Sequence, residues 1–358
     1  MKFLFVTKRS PQQRDLLARP YGRFYNLPVE LARRGHEVRV LLCSHHHLLS
    51  ERRAFEGVEC ISHDIRFLGP IGLRDYLCKE ALVFAPDWVI GCSDAWYGPL
   101  AKHLARKVHA CLALDAYDDY EAYMPWNWPL HLAWRDSLRA ADLVTAAGPQ
   151  LAQLLDRHRH GRAPTIVVPM AADAVFTPND KAESRIALGL PDGAPLVGYT
   201  GSWARNRGTD TLLEAFELVR QQHPSVRLVL TGKPPRYATT QPGVIALGYV
   251  ADMQLPLVLS SLNVACVITA NSRFGRFSYP SKLCEAMACR IPVVASDSEP
   301  VRWMLKDDAQ SLVPQGSATE LAARIVDQLS EGAANYPPPP SWADSAAILE
   351  EALRCSAQ

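Results

Sequence analysis

Short apolar runs rich in β-branched residues alternate along this chain with stretches of helical period. Phe3-Leu4-Phe5-Val6 opens the series as a buried strand. A helical pattern follows over about 22–34, closing at Arg34-Gly35-His36, and Glu37-Val38-Arg39-Val40-Leu41-Leu42 returns to an extended run. A strand at 87–91 and a helix near 97–106 continue the alternation, which predicts βαβ units around a parallel sheet. The rhythm restarts after Pro195, with Leu196-Val197-Gly198-Tyr199-Thr200 as a strand, a helix near 209–222 and a strand over 226–232. Two series predict two doubly wound α/β domains. Between them lie Val167-Val168-Pro169 and Phe176-Thr177-Pro178-Asn179-Asp180, polar and Pro-punctuated. The expected division is a first domain at 1–172, a linker at 173–194 and a second domain at 195–335. Residues 336–358 then form a stiff spacer through Pro337-Pro338-Pro339-Pro340 and a last helix expected to pack on the first domain.

Composition narrows the function classes. The 358 residues carry 38 Lys plus Arg against 37 Asp plus Glu, so the chain lacks the bulk positive field that drives sequence-independent binding to nucleic acid. The nine cysteines are scattered and nowhere form a CxxC pair, which fits reduced thiols in a cytoplasmic protein. The apolar stretch at the amino terminus is only four residues long, too short for a signal-peptide core.

Chemistry concentrates first in Ser278-Tyr279-Pro280-Ser281-Lys282-Leu283-Cys284-Glu285, which runs directly into a helix and then another apolar strand. Ser278 is placed to cap that helix and Pro280 to occupy its first turn. A helix start of this kind offers backbone N–H groups and a positive dipole end to a diphosphate. Lys282 adds a full charge and Ser281 a hydroxyl. Glu285 lies three residues beyond Lys282, on the same face. It either holds a ribose hydroxyl pair or forms an ordinary intrahelical ion pair with the lysine. A second cationic loop, Gly201-Ser202-Trp203-Ala204-Arg205-Asn206-Arg207-Gly208, follows the strand at 196–200. Its arginines either meet phosphate oxygens bidentately or are solvated.

In the first half, Leu114-Asp115-Ala116-Tyr117-Asp118-Asp119-Tyr120-Glu121 follows an apolar strand and presents carboxylates that would hold sugar hydroxyls, accept a proton, or simply face solvent. Trp126, Trp128 and Trp134 come next, with core packing the first reading and sugar stacking the second. His45-His46-His47 lacks metal-ligand spacing and reads as a solvated loop. Arg33, Arg34, Arg52, Arg53, Lys102, Arg106 and Lys107 all fall in the first half, either as scattered surface charge or as a patch for anionic lipid.

Taken in order along the chain, these features resemble glycosyltransferase family 4, the retaining enzymes of GT-B fold. The resemblance is carried by Gly35-His36-Glu37-Val38, Pro86-Asp87-Trp88-Val89-Ile90, Ala141-Asp142-Leu143-Val144, the interdomain phrase from Val168-Pro169 to Phe176-Thr177-Pro178, the loop from Gly201 to Gly208, and Ser281-Lys282-Leu283-Cys284-Glu285. It departs from the family at two places. Ser202 stands where an arginine is usual, and Phe277 stands where the first of two paired glutamates is usual. The resemblance implies two Rossmann-like doubly wound domains facing across a cleft, and transfer of a hexosyl-type sugar from a UDP or GDP donor to a hydroxyl acceptor on a glycan, glycolipid or protein. Peripheral contact with the cytoplasmic face of a membrane is compatible with that role. Catalytic roles are expected at Asp118, Arg207 and Lys282. The donor is expected at Gly22, Gly201, Ser202, Arg205, Arg207, Lys233, Val250, Tyr279, Ser281, Lys282, Leu283 and Glu285. No metal and no cofactor is expected, because GT-B enzymes hold the diphosphate with protein cations. A sugar-nucleotide epimerase and a noncatalytic nucleotide-sugar-binding subunit are the competing readings.

Overall fold

A computed structural model describes residues 1–204, 207–332 and 334–356. The chain divides into two compact units, Met1–Met170 with Pro340–Gln358, and Ala171–Pro339.

The first unit is built on β1 (Lys2–Lys8), β2 (Glu37–Ser44), β3 (Glu51–Phe55), β4 (Val58–Asp64), β5 (Trp88–Cys92), β6 (Cys111–Ala116), β7 (Leu143–Ala146) and β8 (Ile166–Val167). Among the described residues they form one eight-stranded sheet in the order β3-β4-β2-β1-β5-β6-β7-β8. Every pairing is parallel except β3 with β4. Helices α1 (Arg23–Arg33), α2 (Ile65–Phe84), α3 (Tyr97–Val108), α4 (Trp128–Ala140) and α5 (Pro149–Asp156) provide the crossovers. Strands covered on both faces read as unbroken apolar runs, which is why 3–6 and 88–92 are legible at once. The hairpin β3–β4 and helix α2 fall in a stretch where the hydrophobic pattern predicts no element. β3 is an edge strand of sequence Glu-Arg-Arg-Ala-Phe whose central residues face solvent, a composition that discourages edge pairing and hides the strand from a search for apolar alternation. Helix α2 is broken at Gly69-Pro70, so its period is interrupted. The strand order reverses between β1 and β5, where the carboxyl ends of the strands leave a crevice.

The second unit carries β9 (Leu196–Tyr199), β10 (Arg227–Thr231), β11 (Val244–Gly248), β12 (Val264–Val267), β13 (Val293–Ser296) and β14 (Leu312–Val313), in the order β11-β10-β9-β12-β13-β14 and all parallel. Its helices are α6 (Lys181–Leu188), α7 (Thr209–Gln222), α8 (Arg236–Thr239), α9 (Leu255–Ser261), α10 (Arg273–Arg276), α11 (Ser281–Ala288), α12 (Glu299–Leu305) and α13 (Ala318–Glu331). Residues 173–194, expected as a linker, are folded into this unit. Phe176 and Leu190 enter its core, and Arg185 on α6 donates to the Ser261 carbonyl at 3.0 Å and to Asn263 Oδ1 at 2.8 Å. The polar, Pro-rich composition there serves buried hydrogen bonds rather than mobility.

The last helix, α14 (Trp342–Cys355), belongs to the first unit. It opens with a capping box between Ser341 and Asp344, and Ser345 donates to the Pro169 carbonyl at 3.1 Å. Glu350 fastens it to the end of α1 through Arg34 and through His36 Nε2 at 2.9 Å, and it also pairs with Arg354 on its own helix at 2.5 Å. Burial works against the carboxylate, but the hydrogen bonds from Arg34 and His36 prevail and hold Glu350 down at about 2. Because its folded pKa lies below the unfolded value of about 4.3, the stabilisation is complete above that value and is lost as pH falls toward 2. Glu350→Gln should therefore lower the melting temperature at pH 7. The difference from wild type should shrink between about pH 4.3 and 2, as followed by circular dichroism; a pH-independent difference would refute this role.

Candidate functional site

In the first unit, the carboxyl edge of the sheet gathers the loops expected to carry chemistry. Gly22 precedes α1 with φ +65°, a left-handed conformation that a side chain would strain, and its carbonyl accepts from Asn26 N at 2.9 Å. Arg23, directly after it, is buried and forms a two-pronged ion pair with Asp115 at the end of β6, at 2.7 and 2.6 Å. Its other nitrogen donates to the Val168 carbonyl at 2.8 Å and the Pro169 carbonyl at 3.2 Å. Thr145 on β7 donates to the same Asp115 carboxylate at 2.6 Å. Asp115 is thus a structural anchor within the acidic stretch.

Asp118 is buried three residues further on and accepts from the Tyr123 hydroxyl at 2.5 Å. The same hydroxyl also meets Tyr117 Oη at 3.2 Å. Burial and then the nearby Asp118 charge push the Tyr123 phenol well above its ordinary range, so it stays a hydrogen-bond donor at any physiological pH. Glu121 is held by Arg135 at 2.7 and 2.6 Å, and those bonds outweigh burial in lowering its pKa. Of the three tryptophans assigned to packing, only Trp134 packs, at 3% exposure against 75% for Trp126 and 67% for Trp128. The correction is local: Trp134 faces Gly98 of α3, whereas the other two sit on the turn that starts α4.

Asp94, which follows β5 at the strand-order reversal, escaped the sequence reading. Ser93 before it holds φ +79°, and its N–H donates to Tyr120 Oη at 3.1 Å. One Asp94 carboxylate oxygen is buried without a hydrogen-bond partner among the described residues, and burial raises its pKa against the pull of Lys8. The signal available was its place directly after a buried strand. The basic residues proposed as a lipid patch are largely neutralised. Arg33 pairs with Glu30 and Glu56, Arg34 with Glu350, Arg52 with Glu59 and Glu80, Arg53 with Glu51, and Lys102 with Asp136.

In the second unit the donor candidates come from loops at the carboxyl ends of β9, β10, β11 and β12. Gly201 and Ser202 follow β9, and Lys233 is exposed after β10. These two loops touch: a Cβ on Gly232, which holds φ +84°, would lie 2.8 Å from the Gly201 carbonyl oxygen. Gly232 N donates to the Gly248 carbonyl at 2.7 Å, which brings in the end of β11 and, two residues on, Val250. Val250 itself packs against the core. The Arg207 guanidinium lies 4.9 Å from the Phe274 ring centroid, joining the β9 loop to the segment before α11. Arg205 lies outside the described residues.

Three expectations about α11 are corrected. The helix begins at Ser281 with Pro280 as its N-cap, and no side chain caps it; Ser278 is buried one turn upstream. Leu283 is fully buried in the core and its N–H donates to the Pro280 carbonyl at 3.0 Å, so neither group is offered to a ligand. The Tyr279 ring is buried edge-on against Trp303 at 5.9 Å. Ser281, Lys282 and Glu285 stay on the half-exposed face, with Lys282 Nζ 2.9 Å from Glu285 Oε2. Among the described residues no group of His, Cys, Asp and Glu could hold a metal ion, and no helix is long and apolar enough to cross a membrane.

Two doubly wound units of this construction define the GT-B class, and comparison with solved structures agrees. Sucrose-phosphate synthase from Thermosynechococcus elongatus superposes with a TM-score of 0.73 at 17% identity, over 99% of this chain and 94% of that one. Anabaena Alr3699/HepE in complex with UDP gives 0.71 at 18%, over 100% and 98%. Residues 194–331 match the family model described as glycosyl transferases group 1. A D-inositol 3-phosphate glycosyltransferase from Stackebrandtia nassauensis is 29% identical over 206 residues, 52% of this chain and 45% of the relative, so the match spans about half of that relative's length. The chain has the GT-B fold, and its second unit is similar to glycosyl transferases group 1.

Removing one member of the buried Arg23–Asp115 pair should be costly, since it strands the other charge. Asp115→Ala is expected to destabilise the first unit by about 3–5 kcal/mol in urea unfolding, and an Arg23→Met, Asp115→Leu double variant should recover much of that loss. Equal stability of Asp115→Ala and wild type would rule out the anchoring role.

Proposed function

We propose that this protein transfers a hexosyl-type sugar from a UDP or GDP donor to a hydroxyl acceptor, with retention, in the synthesis of a cell-surface polysaccharide, glycolipid or other glycoconjugate. The observation that carries this reading is the carboxyl edge of the second sheet. There, two glycine-bearing loops meet, Arg207 is drawn to the segment before α11, and α11 starts with no side-chain cap and Lys282 in its first turn. A lysine at a helix amino terminus is unfavourable by a few tenths of a kcal/mol, about 0.3 or more, unless an anion sits there. As the glycosidic bond breaks, negative charge grows on the departing diphosphate, and Lys282, Arg207 and the helix dipole stabilise it. On the retaining route the departing phosphate takes the acceptor's proton, while Asp118 orients the acceptor hydroxyl. Glu285, hydrogen-bonded to Lys282 in the present structure, is the group proposed for the ribose hydroxyls. Peripheral contact with an anionic membrane surface is part of the proposal, supported by exposed Phe67 and Ile71 beside Arg66 on α2.

Lys282→Ala is expected to cut sugar transfer about 100- to 1,000-fold while the melting temperature changes little, since a half-exposed i,i+3 pair contributes under about 1 kcal/mol. Near-normal turnover would end this assignment. Donor consumption without a glycoside product would point to the epimerase reading, and tight donor binding without turnover to a noncatalytic subunit.

A further inference from the structure

The tryptophans at the start of α4, Trp126 and Trp128, stand largely in solvent. Trp126 and Trp128 stand on a turn closed by Asn127 N donating to the Met124 carbonyl at 2.9 Å and by the Asn127 side chain accepting from Leu130 N at 3.3 Å. His131 Nε2 lies 2.9 Å from the same Met124 carbonyl, so the turn is braced from the helix side as well. Pro125 and Pro129 flank the indoles and fix the backbone around them. Two large aromatic faces are therefore held in water on a stiff support, the arrangement of a binding surface rather than of a loop that failed to pack.

We propose that Trp126 and Trp128 form a stacking platform for the pyranose rings of a neutral carbohydrate acceptor, which leads one acceptor hydroxyl toward Asp118. The proposal rests on the glycosyl-transfer reading above and adds the chemical class of the acceptor. Three observations favour a neutral sugar chain over other occupants. The ring C–H bonds of a pyranose carry slight positive charge and meet the negative face of an indole, while its hydroxyls project outward to polar groups. The platform is continuous in sequence with such groups: Tyr123 lies three residues before Trp126, within about 10 Å of chain, and its hydroxyl reaches Asp118 at 2.5 Å. The charge pattern also suits hydroxyl donors. Arg135, about two turns along α4 from Trp128, is committed to Glu121 by two hydrogen bonds. A surface meant for lipid phosphate would instead offer cations. Tyr123 in turn stacks on Tyr120 at 6.2 Å, and Tyr120 packs on Trp134 at 5.3 Å, so the path from platform to Asp118 is backed by core aromatics.

The test uses the whole chain. Cellohexaose, maltohexaose, xylohexaose and mannohexaose are titrated while tryptophan fluorescence and saturation-transfer NMR are followed, and the melting-temperature shift with UDP- and GDP-sugars is measured on the same samples. At least one hexasaccharide should bind, at least tenfold more weakly in a Trp126→Ala, Trp128→Ala variant of unchanged melting temperature, with partial recovery in Trp126→Phe, Trp128→Phe. The proposal is overturned if no hexasaccharide binds or if the alanine variant binds equally. It is also overturned if the substitutions abolish only partition onto phosphatidylglycerol vesicles, or only self-association, which would make the occupant a membrane or a second copy. A nucleotide-sugar shift without saccharide binding would remove this inference alone. Absence of any nucleotide-sugar shift would count against the transferase reading, whatever the saccharides do.

Discussion

The buried Arg23–Asp115 pair is the interaction on which the carboxyl edge of the first sheet depends. Both charges are almost wholly removed from water, which is tolerable only because each is saturated by hydrogen bonds. Arg23 uses its guanidinium on Asp115, Val168 and Pro169, so one side chain ties the start of α1 to β6 and to the chain leaving β8. Asp115 in turn receives Thr145 from β7, while its backbone carbonyl accepts from Tyr120, whose oxygen also receives Ser93 N after β5. Four loops are thereby held at fixed positions around one ion pair. Gly22 belongs to the same construction: its left-handed backbone turns the chain so that the next residue enters the interior. A glycine read from sequence as a place for ligand approach thus has a structural reason to be glycine first.

Constraint in the second unit is of another kind. Its candidate groups are cations near the surface, positioned by close backbone approach at glycines and by an arginine resting on an aromatic ring. The Lys282–Glu285 bond does not conflict with a diphosphate role, since such a pair on a helix surface is worth only about 0.2–0.5 kcal/mol. An incoming dianion interacts with the lysine far more strongly than that, and release of Glu285 would leave a carboxylate available to hydroxyls. The helix start supplies direction as well as charge, because its first-turn N–H groups point along the axis toward whatever sits at the amino end.

Much of this was legible in the sequence, and the failures share a cause. Strands buried on both faces and helices with clean period were found close to their observed ends, as with 209–222 against α7. The hairpin β3–β4, the kinked α2 and the packed segment around α6 were not, because charged edges, a Gly-Pro break and buried arginine hydrogen bonds all carry polar composition. The same limit governs the site. Residue type marked Lys282 and Asp118 as chemically apt, but only three-dimensional placement distinguishes Asp115, an anchor, from Asp118 three residues later. It likewise separates Trp134 in the core from Trp126 and Trp128 in solvent. Periodicity reports which side of an element is buried; it is silent on residues in turns, where these functional candidates sit.

Phe277 sharpens what the candidate donor segment can do. It follows α10, whose start is capped by Ser272 accepting from Gly275 N at 3.1 Å, and a Cβ on Gly275 would lie only 2.6 Å from the Ala270 carbonyl oxygen. The backbone before Phe277 is therefore tightly determined, and an aromatic ring rather than a carboxylate is presented there. On the proposed reading, this segment cannot hold sugar hydroxyls through a side-chain acid at position 277. What its neighbours do supply is positive charge directed at a leaving diphosphate, from Lys282 and Arg207. Stabilising the departing group requires no acid at position 277, so the substitution bears on which sugar is recognised more than on whether the bond can be broken.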